Sequence, residues 1–432
     1  MKKLIKIKNY IKKYNNEVHF RNNKNEPIHR WYPFVEGFSS NFVKSIIDEV
    51  DYNPSSCFDP FAGSGTTPLA CQQLDIKCYS FEVNPFLFDL MKVKLNKGYD
   101  EQKLENIIRR IDQNLQLCKR TWEYPNIETQ TLFEREGLKK WIFNREVAWG
   151  IFDILSEIYK LSNKTEGKYK LLLKIALASN LIKISNIFRN GKCLSYKRNW
   201  SNNGISRQDV HKKFIGFCKD IIIRDLLHIT PDDNGIDNSS FCKEGDTRKL
   251  IKELEDRSID LVITSPPYLN SRDYTDIYRL ELWILGYLKT YKDERKLRKN
   301  TLRSHVQIAW HKGETLKIKK LERTLKEIEK HRKEFWNNSI PEMIKGYFID
   351  MNIILKSLYK KMKINSKAYI NVGNSSYFNS IIETDAIIAE LAEMNKFQVD
   401  DIRVARYLKS SGQQDSKRIR ESVIILTNKI GR

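Results

Sequence analysis

Two stretches of this chain alternate short apolar runs with amphipathic helical patterns, and this alternation limits the fold more than any other feature. In the first stretch, strand-like runs lie at residues 56–58 and 77–83, and helical patterns lie at 38–50, 66–74 and Pro85–Leu95. In the second, strand-like runs lie at 241–244, Ile259–Thr264 and 367–372, helical patterns lie at 247–254, 340–362 and 380–394, and a strand pair at 399–407 and 422–427 closes the chain. Strands that alternate with helices of this length pair in parallel, so the pattern predicts an α/β sheet with helices on both faces.

Two inserts interrupt the predicted sheet. One is helical with hardly any strand signal, and the other is dense in Lys and Arg. Inserts of this kind are expected at the rim of a sheet, where loops carry function. The predicted division is a basic N-terminal arm at 1–28, core segments at 29–99, 239–286 and 339–432, a helical insert at 100–238 and a basic insert at 287–338.

Charge and composition narrow the class of partner. The 76 Lys and Arg residues exceed the 54 Asp and Glu residues and give a formal net charge of +22. Such a charge favours a polyanionic partner, either a nucleic acid or an anionic membrane surface; the codon usage of an AT-rich genome is the alternative explanation. No apolar run is long enough to span a bilayer, and the N-terminus lacks the apolar segment of a signal peptide. The seven cysteines form no CxxC pair, so we predict reduced thiols in the cytoplasm and no metal site.

The first motif joins a strand to a helix through two glycines. The run FDPFAGSGTT at residues 58–67 ends a strand, turns on Gly63 and Gly65, and begins a helix at Thr66. Glycines allow a tight turn and close approach of a ligand, and the helix N-terminus favours an anionic group. Glu82 ends the next strand about twenty residues later, where a doubly wound sheet places an acid that accepts hydrogen bonds from ribose. Together these residues predict a nucleoside cofactor.

The second motif is a strand that runs directly into two prolines. Ile259–Thr264 is followed by Ser265, Pro266, Pro267 and Tyr268. Prolines lack an N–H and fix φ, so they stiffen the backbone and leave carbonyl acceptors beside a hydroxyl and an aromatic face. This arrangement suits a flat group that carries an NH₂. Asp246, which follows another strand, is either an acceptor for an adenine amine or the N-cap of the next helix.

These motifs resemble those of the DNA amino-methyltransferases, which methylate the exocyclic nitrogen of cytosine or adenine. The family's Phe-x-Gly-x-Gly cofactor loop matches residues 61–65, and its (Asp/Asn/Ser)-Pro-Pro-(Tyr/Phe) catalytic loop matches residues 265–268. The resemblance covers residues 27–95 and 240–285, and more loosely 340–427.

The resemblance implies a Rossmann-like methyltransferase sheet and S-adenosyl-L-methionine as cofactor. Residues 29–99 become the cofactor-binding part and 239–286 the catalytic part. The insert at 100–238 matches no motif of the family and is a candidate target-recognition region, and 287–338 is a candidate DNA contact. The expected cofactor-binding residues are Ser39, which also resembles a helix cap, Asp59, Pro60, Phe61, Gly63, Gly65, Thr66, Glu82 and Asp246. The expected catalytic residues are Ser265, Pro266, Pro267 and Tyr268.

The implied reaction is direct transfer of a methyl group to an amine held by Ser265 Oγ and the Pro266 carbonyl, with the base flipped out of the duplex and stacked on Tyr268. A serine at the first position resembles cytosine-N4 enzymes more than adenine-N6 enzymes. We therefore expect a site-specific cytosine-N4 DNA methyltransferase of a restriction-modification system. The alternatives are an adenine-N6 enzyme, an enzyme of the same fold acting on RNA or on a protein glutamine, and an inactive DNA-binding module.

The expected partners are double-stranded DNA and a companion restriction endonuclease, with no membrane and no metal. Basic residues predicted to contact DNA are Lys192, Lys197, Arg198, Arg295, Lys296, Arg298 and Lys299. Residues 317–333 alternate in charge and indicate a solvated helix face instead. A further group either shapes the base pocket or packs the next helix: Asp273, Tyr274, Arg279 and Glu281.

Overall fold

The computed structural model describes residues 5–190, 193–202, 204–229, 241–271, 273–308, 316–378, 380–409 and 418–429. The strands are β1 Ile7–Asn9, β2 Ser56–Asp59, β3 Lys77–Glu82, β4 Ile187–Asn190, β5 Cys193–Tyr196, β6 Cys242–Glu244, β7 Ile259–Thr264, β8 Met362–Gly373, β9 Ser375–Tyr377, β10 Ser380–Ile382, β11 Gln398–Lys409 and β12 Arg418–Thr427.

The α-helices of the first half of the chain are α1 Ile11–Tyr14, α2 Ser40–Glu49, α3 Thr66–Gln73, α4 Pro85–Leu95, α5 Glu101–Leu117, α6 Arg145–Lys160, α7 Gly167–Ile184, α8 Arg207–Phe217 and α9 Arg224–Leu226. Those of the second half are α10 Thr247–Leu250, α11 Tyr274–Ile277, α12 Arg279–Ile284, α13 Tyr291–Asn300, α14 Lys319–Glu329, α15 Ile340–Lys361 and α16 Thr384–Met394. A π-helical segment, Cys218–Ile223, joins α8 to α9.

The main sheet has eight described strands in the order β1-β11-β12-β8-β7-β2-β3-β6. β12 is antiparallel to both of its neighbours, and the other described pairs of this sheet are parallel. The strand that precedes each of the two sequence motifs, β2 and β7, is buried along most of its length. The predicted α/β sheet with helices on both faces is confirmed by this topology.

The order of the strands reverses between β2 and β7. From β2 the sheet extends through β3 to β6, whereas from β7 it extends in the opposite direction through β8. In open α/β sheets, ligands bind beyond the carboxyl ends of the strands at such a switch point, because the connecting helices there diverge to opposite faces and leave a crevice. Both sequence motifs follow the strands that flank this point.

The N-terminal segment is part of the folded core and differs from the predicted basic arm at 1–28. β1 pairs in parallel with β11 at the edge of the main sheet. Tyr14, Val18 and Phe20 are buried, and the Tyr14 hydroxyl accepts a hydrogen bond from Arg403 at 2.8 Å. The few apolar residues of this segment are widely spaced among Lys and Asn, so their pattern is neither helical nor alternating, and burial was not evident from the sequence.

The helical insert packs directly against the core. The buried faces of α5, α6 and α7 form one apolar cluster with α4 and α12. Within the insert, β4 and β5 form an antiparallel hairpin, although the sequence showed hardly any strand signal there. The basic insert contributes α13 and α14, and α14 contacts α15.

One predicted helix begins later than expected. The pattern at 380–394 predicted a single helix, but β10 pairs with β9 before α16 begins at Thr384. The two short strands form their own antiparallel ladder, which satisfies backbone groups that a helix would otherwise bond internally. Among the described residues, no helix combines the length and apolar character that crossing a bilayer requires.

A buried ion pair joins the helical insert to the segment ahead of the glycine turn. The Asp225 carboxylate accepts hydrogen bonds from Arg30, from the backbone N–H of Ile28 at 2.8 Å and from Trp31 Nε1 at 3.0 Å. Its side chain is fully buried, and that of Arg30 is mostly buried.

We expect Asp225→Ala to lower the free energy of unfolding by about 3–5 kcal/mol, because it leaves a buried guanidinium and two N–H donors without their acceptor. Urea unfolding followed by circular dichroism measures this loss. Asp220→Ala is the matched control, since its pair with Arg224 is exposed and is expected to change stability by less than about 0.5 kcal/mol. Equal losses in the two variants would contradict the assigned role of Asp225.

Candidate active site

One cavity of about 460 Å³ lies at the carboxyl ends of the strands on both sides of the switch point. Gly63 and Glu82 line it from the glycine turn and the end of β3, and Ser265 and Tyr268 line it from the loop after β7. Its volume is in the range of small-molecule sites. The two motifs therefore share one space, although they are about two hundred residues apart in the sequence.

The glycine turn has backbone angles and spacing that only glycine tolerates well. Gly63 and Gly65 have φ values of +53° and +80°. A Cβ on Gly65 would lie 2.9 Å from Met91 Cγ, and a Cβ on Gly63 would lie 3.0 Å from Phe34 Cζ. The turn is consequently pressed between α4 and the segment around Phe34, and Pro60, Phe61 and Gly63 line the cavity.

Glu82 joins the turn to the cavity. Its carboxylate accepts hydrogen bonds from the backbone N–H groups of Gly63 and Asn84, each at 2.8 Å. Burial raises the pKa of Glu82 to about 7, against the effect of these two N–H donors. Each carboxylate oxygen has lone pairs beyond the one used by the backbone, so the group can still accept hydroxyl donors from a ligand.

Asp59 lies behind the turn, since it is buried and does not line the cavity. It accepts hydrogen bonds from Phe61 N at 3.0 Å and from the hydroxyls of Thr67 and Thr264, each at 2.7 Å. Burial raises its pKa to about 7. Asp59 thus holds the turn to the end of β7, and its part in ligand binding is indirect.

Other predicted cofactor residues surround the turn without lining the cavity. Thr66 begins α3, and its hydroxyl accepts a hydrogen bond from Asn23 at 3.4 Å. Ser39 occupies the N-cap position of α2 but makes no capping hydrogen bond, contrary to its expected capping role. Its hydroxyl is buried and has no hydrogen-bond partner among the described residues. An unsatisfied buried hydroxyl at a helix N-terminus suits a polar ligand group.

Lys94, which is buried beneath the turn, was not predicted as part of the site. Its ammonium donates to the Ser64 carbonyl at 3.0 Å, and burial lowers its pKa to about 7. A lysine on the buried side of α4 was not expected, because lysine side chains are almost never fully buried.

Asp246 fits both interpretations of its sequence position. It is the N-cap of α10, because its side chain accepts from Arg248 N at 3.0 Å, and it also lines the cavity. The Arg248 guanidinium binds both of its oxygens, at 2.8 and 2.9 Å. The carboxylate is therefore fixed in place at the wall beside Glu82.

The loop after β7 is held rigid from several sides. Pro266 is buried, and the backbone N–H of Tyr268 donates to the Tyr274 hydroxyl at 2.9 Å. The Tyr268 ring lies against Gly373, where an added Cβ would be 2.8 Å from Cδ2 and Cε2. Its hydroxyl donates to Glu421 at 2.6 Å. The ring is thus clamped at its edge and tip while it still lines the cavity.

Three polar cavity residues come from late strands and were not predicted: Asn371 on β8, Arg406 on β11 and Glu421 on β12. Asn371 Nδ2 donates to the Tyr268 hydroxyl at 3.0 Å and to Glu421 at 3.1 Å, and Arg406 Nε donates to Glu421. The sequence carries no local signal for this group, because β8, β11 and β12 bring its members together only in the folded sheet.

Four residues were predicted either to shape the base pocket or to pack the next helix, and the structure divides them between these two positions. Asp273 and Tyr274 line the cavity. Glu281 does not; it is buried and pairs with Arg189 at 3.0 Å. Arg279 donates to the Thr129 hydroxyl at 2.6 Å and also lies outside the cavity lining.

The basic residues predicted to contact DNA differ in their exposure and in their contacts within the protein. Arg295, Lys296 and Lys299 are exposed on α13, whose residues Leu297 and Asn300 line the cavity. Arg198 is also exposed, next to the β4–β5 hairpin.

Two of the other candidates are engaged within the protein, contrary to the prediction that they face DNA freely. The Arg298 guanidinium pairs with Asp273, Asp276 and Glu294. Lys197 Nζ donates to the carbonyl groups of Ser185 and Lys183 at the end of α7. Lys192 lies outside the described residues.

One group of potential metal ligands occurs among the described residues. Cys57, Cys71 and Cys78 are buried, with their sulfur atoms within 4.8 Å of one another. They belong to an apolar cluster beneath the sheet and do not line the cavity.

A doubly wound sheet with a glycine turn, an acid at the next strand end and a proline-stiffened loop in one cavity defines an enzyme of the nucleoside-cofactor class. A family model described as DNA methylase, of the N6 and N4 methyltransferase group, matches residues 5–93. The Type II methyltransferase M.AvaI of a Nostoc species is 29% identical over 92% of this chain and 84% of that protein.

Two further relatives match over most of their length. The Type II methyltransferase M.BsoBI of Geobacillus stearothermophilus is 26% identical over 96% of this chain and 87% of that protein. The Type II methyltransferase M.MvaI of Kocuria varians is 21% identical over 85% of this chain and 82% of that protein. The solved rRNA methyltransferase aviRa of Streptomyces viridochromogenes is 9% identical over 92% of this chain and 87% of that chain, with a TM-score of 0.28, which is too low to bear on the fold. The chain is similar to the DNA amino-methyltransferases over residues 5–93, and to these Type II methyltransferases over most of its length.

The pKa of Glu82 predicts how binding of S-adenosylmethionine depends on pH. Its value of about 7 lies above the ordinary 4.5, so the carboxyl group loses acceptor capacity as the pH falls through about 7. If ribose hydroxyls donate to the ionised form, affinity measured by titration calorimetry should fall about tenfold between about pH 8 and about pH 6. Glu82→Gln should bind more weakly and lose this pH dependence.

Glu244→Gln is the control, because Glu244 is paired with Glu82 in the sheet register but does not line the cavity. It should keep the pH dependence of the unmodified protein. The same raised pKa has the opposite effect on the free protein, in which ionising buried Glu82 lowers stability as the pH rises from about 4.5 to about 7. Retention of the binding profile in Glu82→Gln would contradict a direct contact.

Proposed function

We propose that this protein is a site-specific DNA methyltransferase that transfers the methyl group of S-adenosylmethionine to N4 of cytosine. The observation that carries the proposal is the single cavity that joins the glycine turn and Glu82 to the Ser265–Pro266–Pro267–Tyr268 loop. A nucleoside cofactor bound on one side would have its reactive group close to an amine bound on the other. Such positioning supplies most of the rate in direct transfer.

The residues around the turn fit S-adenosylmethionine. Its ribose hydroxyls are donors that match the remaining lone pairs of Glu82, and Asp246 lies on the same wall as a second acceptor. Gly37 lines the cavity just ahead of the N-terminus of α2, which suits the polar methionine end of the cofactor, and Ser39 lies behind it at the N-cap position. The closely packed Gly63 and Gly65 would hold the cofactor near the backbone, and Asp59, Pro60, Phe61 and Thr66 maintain the shape of the turn.

The chain's own residues prepare the target amine. The bound cofactor supplies a methyl group already activated by a sulfonium. The exocyclic amine is a weak nucleophile, because its lone pair is delocalised into the ring. Ser265 Oγ and the Pro266 carbonyl accept the two amine hydrogens and draw electron density back to nitrogen, while Pro266 and Pro267 keep these acceptors in a fixed position. The base stacks on Tyr268.

Cytosine is favoured over adenine by the residue at position 265. A serine there resembles the cytosine-N4 members of the family, whereas adenine-N6 enzymes usually have Asp or Asn. Adenine-N6 methylation is the second candidate, and it is supported by the same cavity and by the family model, which covers both activities.

Double-stranded DNA is supported as the substrate by the basic surface around the cavity and by relatives described as Type II methyltransferases. Exposed Arg295, Lys296 and Lys299 on α13, and Arg198 near the β4–β5 hairpin, lie on elements that reach the cavity wall. The helical insert and the basic insert are thus proposed to contact DNA, and a companion restriction endonuclease follows from the same resemblance. Flipping the base costs a few kcal/mol, which stacking and phosphate contacts would offset.

The decisive experiment incubates the protein with S-adenosylmethionine and either duplex DNA or tRNA, and identifies methylated nucleosides by mass spectrometry. We expect N4-methylcytosine in DNA, with the turnover of Ser265→Ala lower by roughly 10²-fold because one amine acceptor is lost. Ser258→Ala is the matched control, since Ser258 precedes β7 and its hydroxyl bonds to the Glu255 carbonyl. N6-methyladenine would establish the second candidate, label confined to tRNA would exclude a DNA substrate, and no label would favour an inactive DNA-binding module.

The α13 surface predicts the salt dependence of duplex binding. We expect Lys296→Ala and Lys299→Ala each to reduce the slope of log affinity against log salt by about 1, because each removes one phosphate contact. Fluorescence anisotropy with a labelled duplex measures this slope. Lys326→Ala, on the exposed side of α14, is expected to leave it unchanged. An equal change of slope in all three variants would indicate that net charge, and not a local phosphate contact on α13, sets the salt dependence.

A further inference from the structure

A buried carboxylate lies beside the proposed amine site and has no part in the function described above. Glu421 is almost completely buried on β12, in register with Gly373 of β8, and it lines the cavity. Tyr268 donates to one of its oxygens at 2.6 Å, and Arg406 donates to the other. Asn371 Nδ2 donates to both Glu421 and the Tyr268 hydroxyl. A charge buried this deeply is stable only with such partners.

The direction of these hydrogen bonds can be assigned from chemistry. An ionised carboxylate only accepts, so the Tyr268 hydroxyl proton is directed to Glu421, and the Asn371 amide must present its NH₂ group. The Tyr268 oxygen then receives hydrogen bonds from its other neighbours. Burial and Glu421 raise the pKa of Tyr268 well above its usual value, whereas a hydrogen bond from Ser265 lowers it, as expected of a donor to that oxygen.

Ser265 is consequently oriented as an acceptor for the substrate. A Ser265 hydroxyl that directs its single proton to Tyr268, which lines the same cavity, keeps both of its lone pairs for a bound group. A free hydroxyl could rotate and offer its proton to the amine instead, which would oppose transfer. The chain Ser265–Tyr268–Glu421 fixes the useful orientation before the base arrives.

We propose that Glu421 is the final proton acceptor of the methylation step and acts through Tyr268 and Ser265. This inference rests on the proposed function. Glu421 is a positioning residue in the free protein, since it touches the reacting amine only through the two hydroxyls. Arg406 and Asn371 hold its carboxylate in place on both sides.

The methyl transfer and the proton transfers together conserve atoms and charge. The amine lone pair forms the N–C bond, and the C–S bond breaks with its electron pair left on sulfur. The nitrogen then carries one positive charge and one surplus proton. That proton passes to Ser265 Oγ, the Ser265 proton passes to the Tyr268 oxygen, and the Tyr268 proton passes to Glu421. The products are a neutral methylamino base, two neutral hydroxyls and a carboxylic acid, which later releases its proton to solvent.

The test compares Tyr268→Phe, Glu421→Gln and the double variant in single-turnover methylation of duplex DNA. Each single variant should lower the rate by about tenfold to hundredfold, and the double variant should be no slower than the slower single variant, because both changes interrupt one chain. The unmodified protein should show a solvent deuterium isotope effect that each variant reduces. Dissociation constants for S-adenosylmethionine and for the duplex should stay unchanged.

Two control variants separate the relay from general packing. Tyr377→Phe removes a buried hydroxyl that bonds to the Leu269 carbonyl, and Glu383→Gln changes a carboxylate paired with Arg420. Both should keep the rate and the isotope effect of the unmodified protein. In urea unfolding of the free protein, the Tyr268 and Glu421 substitutions should be non-additive, which tests their hydrogen bond without any turnover.

Losses that multiply in the double variant, or an isotope effect unchanged by both single substitutions, would overturn the relay while leaving the proposed function in place. Absence of any methylated nucleoside with the unmodified protein would overturn the proposed function and the relay together. Weakened duplex binding as the sole defect of Tyr268→Phe would also reject the relay, because it would assign the Tyr268 hydroxyl to substrate binding.

Discussion

The site depends first on one buried carboxylate, that of Asp59 at the end of β2. It binds the backbone of Phe61 and the hydroxyl of Thr67, and these contacts fix the glycine turn on the start of α3. It also binds the hydroxyl of Thr264, the last residue of β7. Because Ser265 follows immediately, a single side chain sets the spacing between the cofactor side and the amine side of the cavity. The parallel pairing of β2 with β7 gives this contact its rigid support.

Burying Asp59 and Glu82 at this edge of the sheet costs desolvation free energy, which their hydrogen bonds offset. The pKa values of Asp59 and Glu82 are both raised to about 7 by desolvation, and each carboxylate is held by two or three donors. Removing water from around these groups strengthens every remaining hydrogen bond and keeps its direction fixed. A cavity built in this way orients its ligands without rearranging when they bind, which is the condition under which fixed polar groups assist catalysis most.

The sequence was sufficient for the core fold and for the residues next to strand ends. Ser265 directly follows β7, Glu82 is the last residue of β3, and Gly63 lies in the turn after β2. Parallel strands bring their carboxyl ends to one edge of the sheet. Pro85–Leu95 and Ile259–Thr264 were predicted with the bounds that the structure has. Signals of this kind are local, because the residue and the strand that positions it are consecutive in the chain.

The features that could not be predicted from the sequence depend on pairing between strands that lie far apart in the chain. Glu421 reaches the cavity only because β12 inserts antiparallel between β8 and β11, and nothing near it in the sequence marks a site. Arg298 lies in a run of Lys and Arg, but its acidic partner Asp273 is on another element, so exposure could not be inferred from the run. Whether Tyr14 is buried was likewise decided by the pairing of β1 with β11.

The neutral serine at position 265 and the buried carboxylate of Glu421 have complementary roles in the proposed mechanism. An acidic residue in the catalytic loop would place a negative charge next to the amine, where it is costly to bury when no substrate is bound. With serine, the amine site is neutral, and the charge lies beyond the ring of Tyr268, where Arg406 and Asn371 bind it. Its influence still reaches the amine, because hydrogen bonds in a chain polarise one another. In the proposed mechanism the aromatic residue of the loop has two tasks: its face holds the base, and its hydroxyl connects a neutral acceptor to a buried charge.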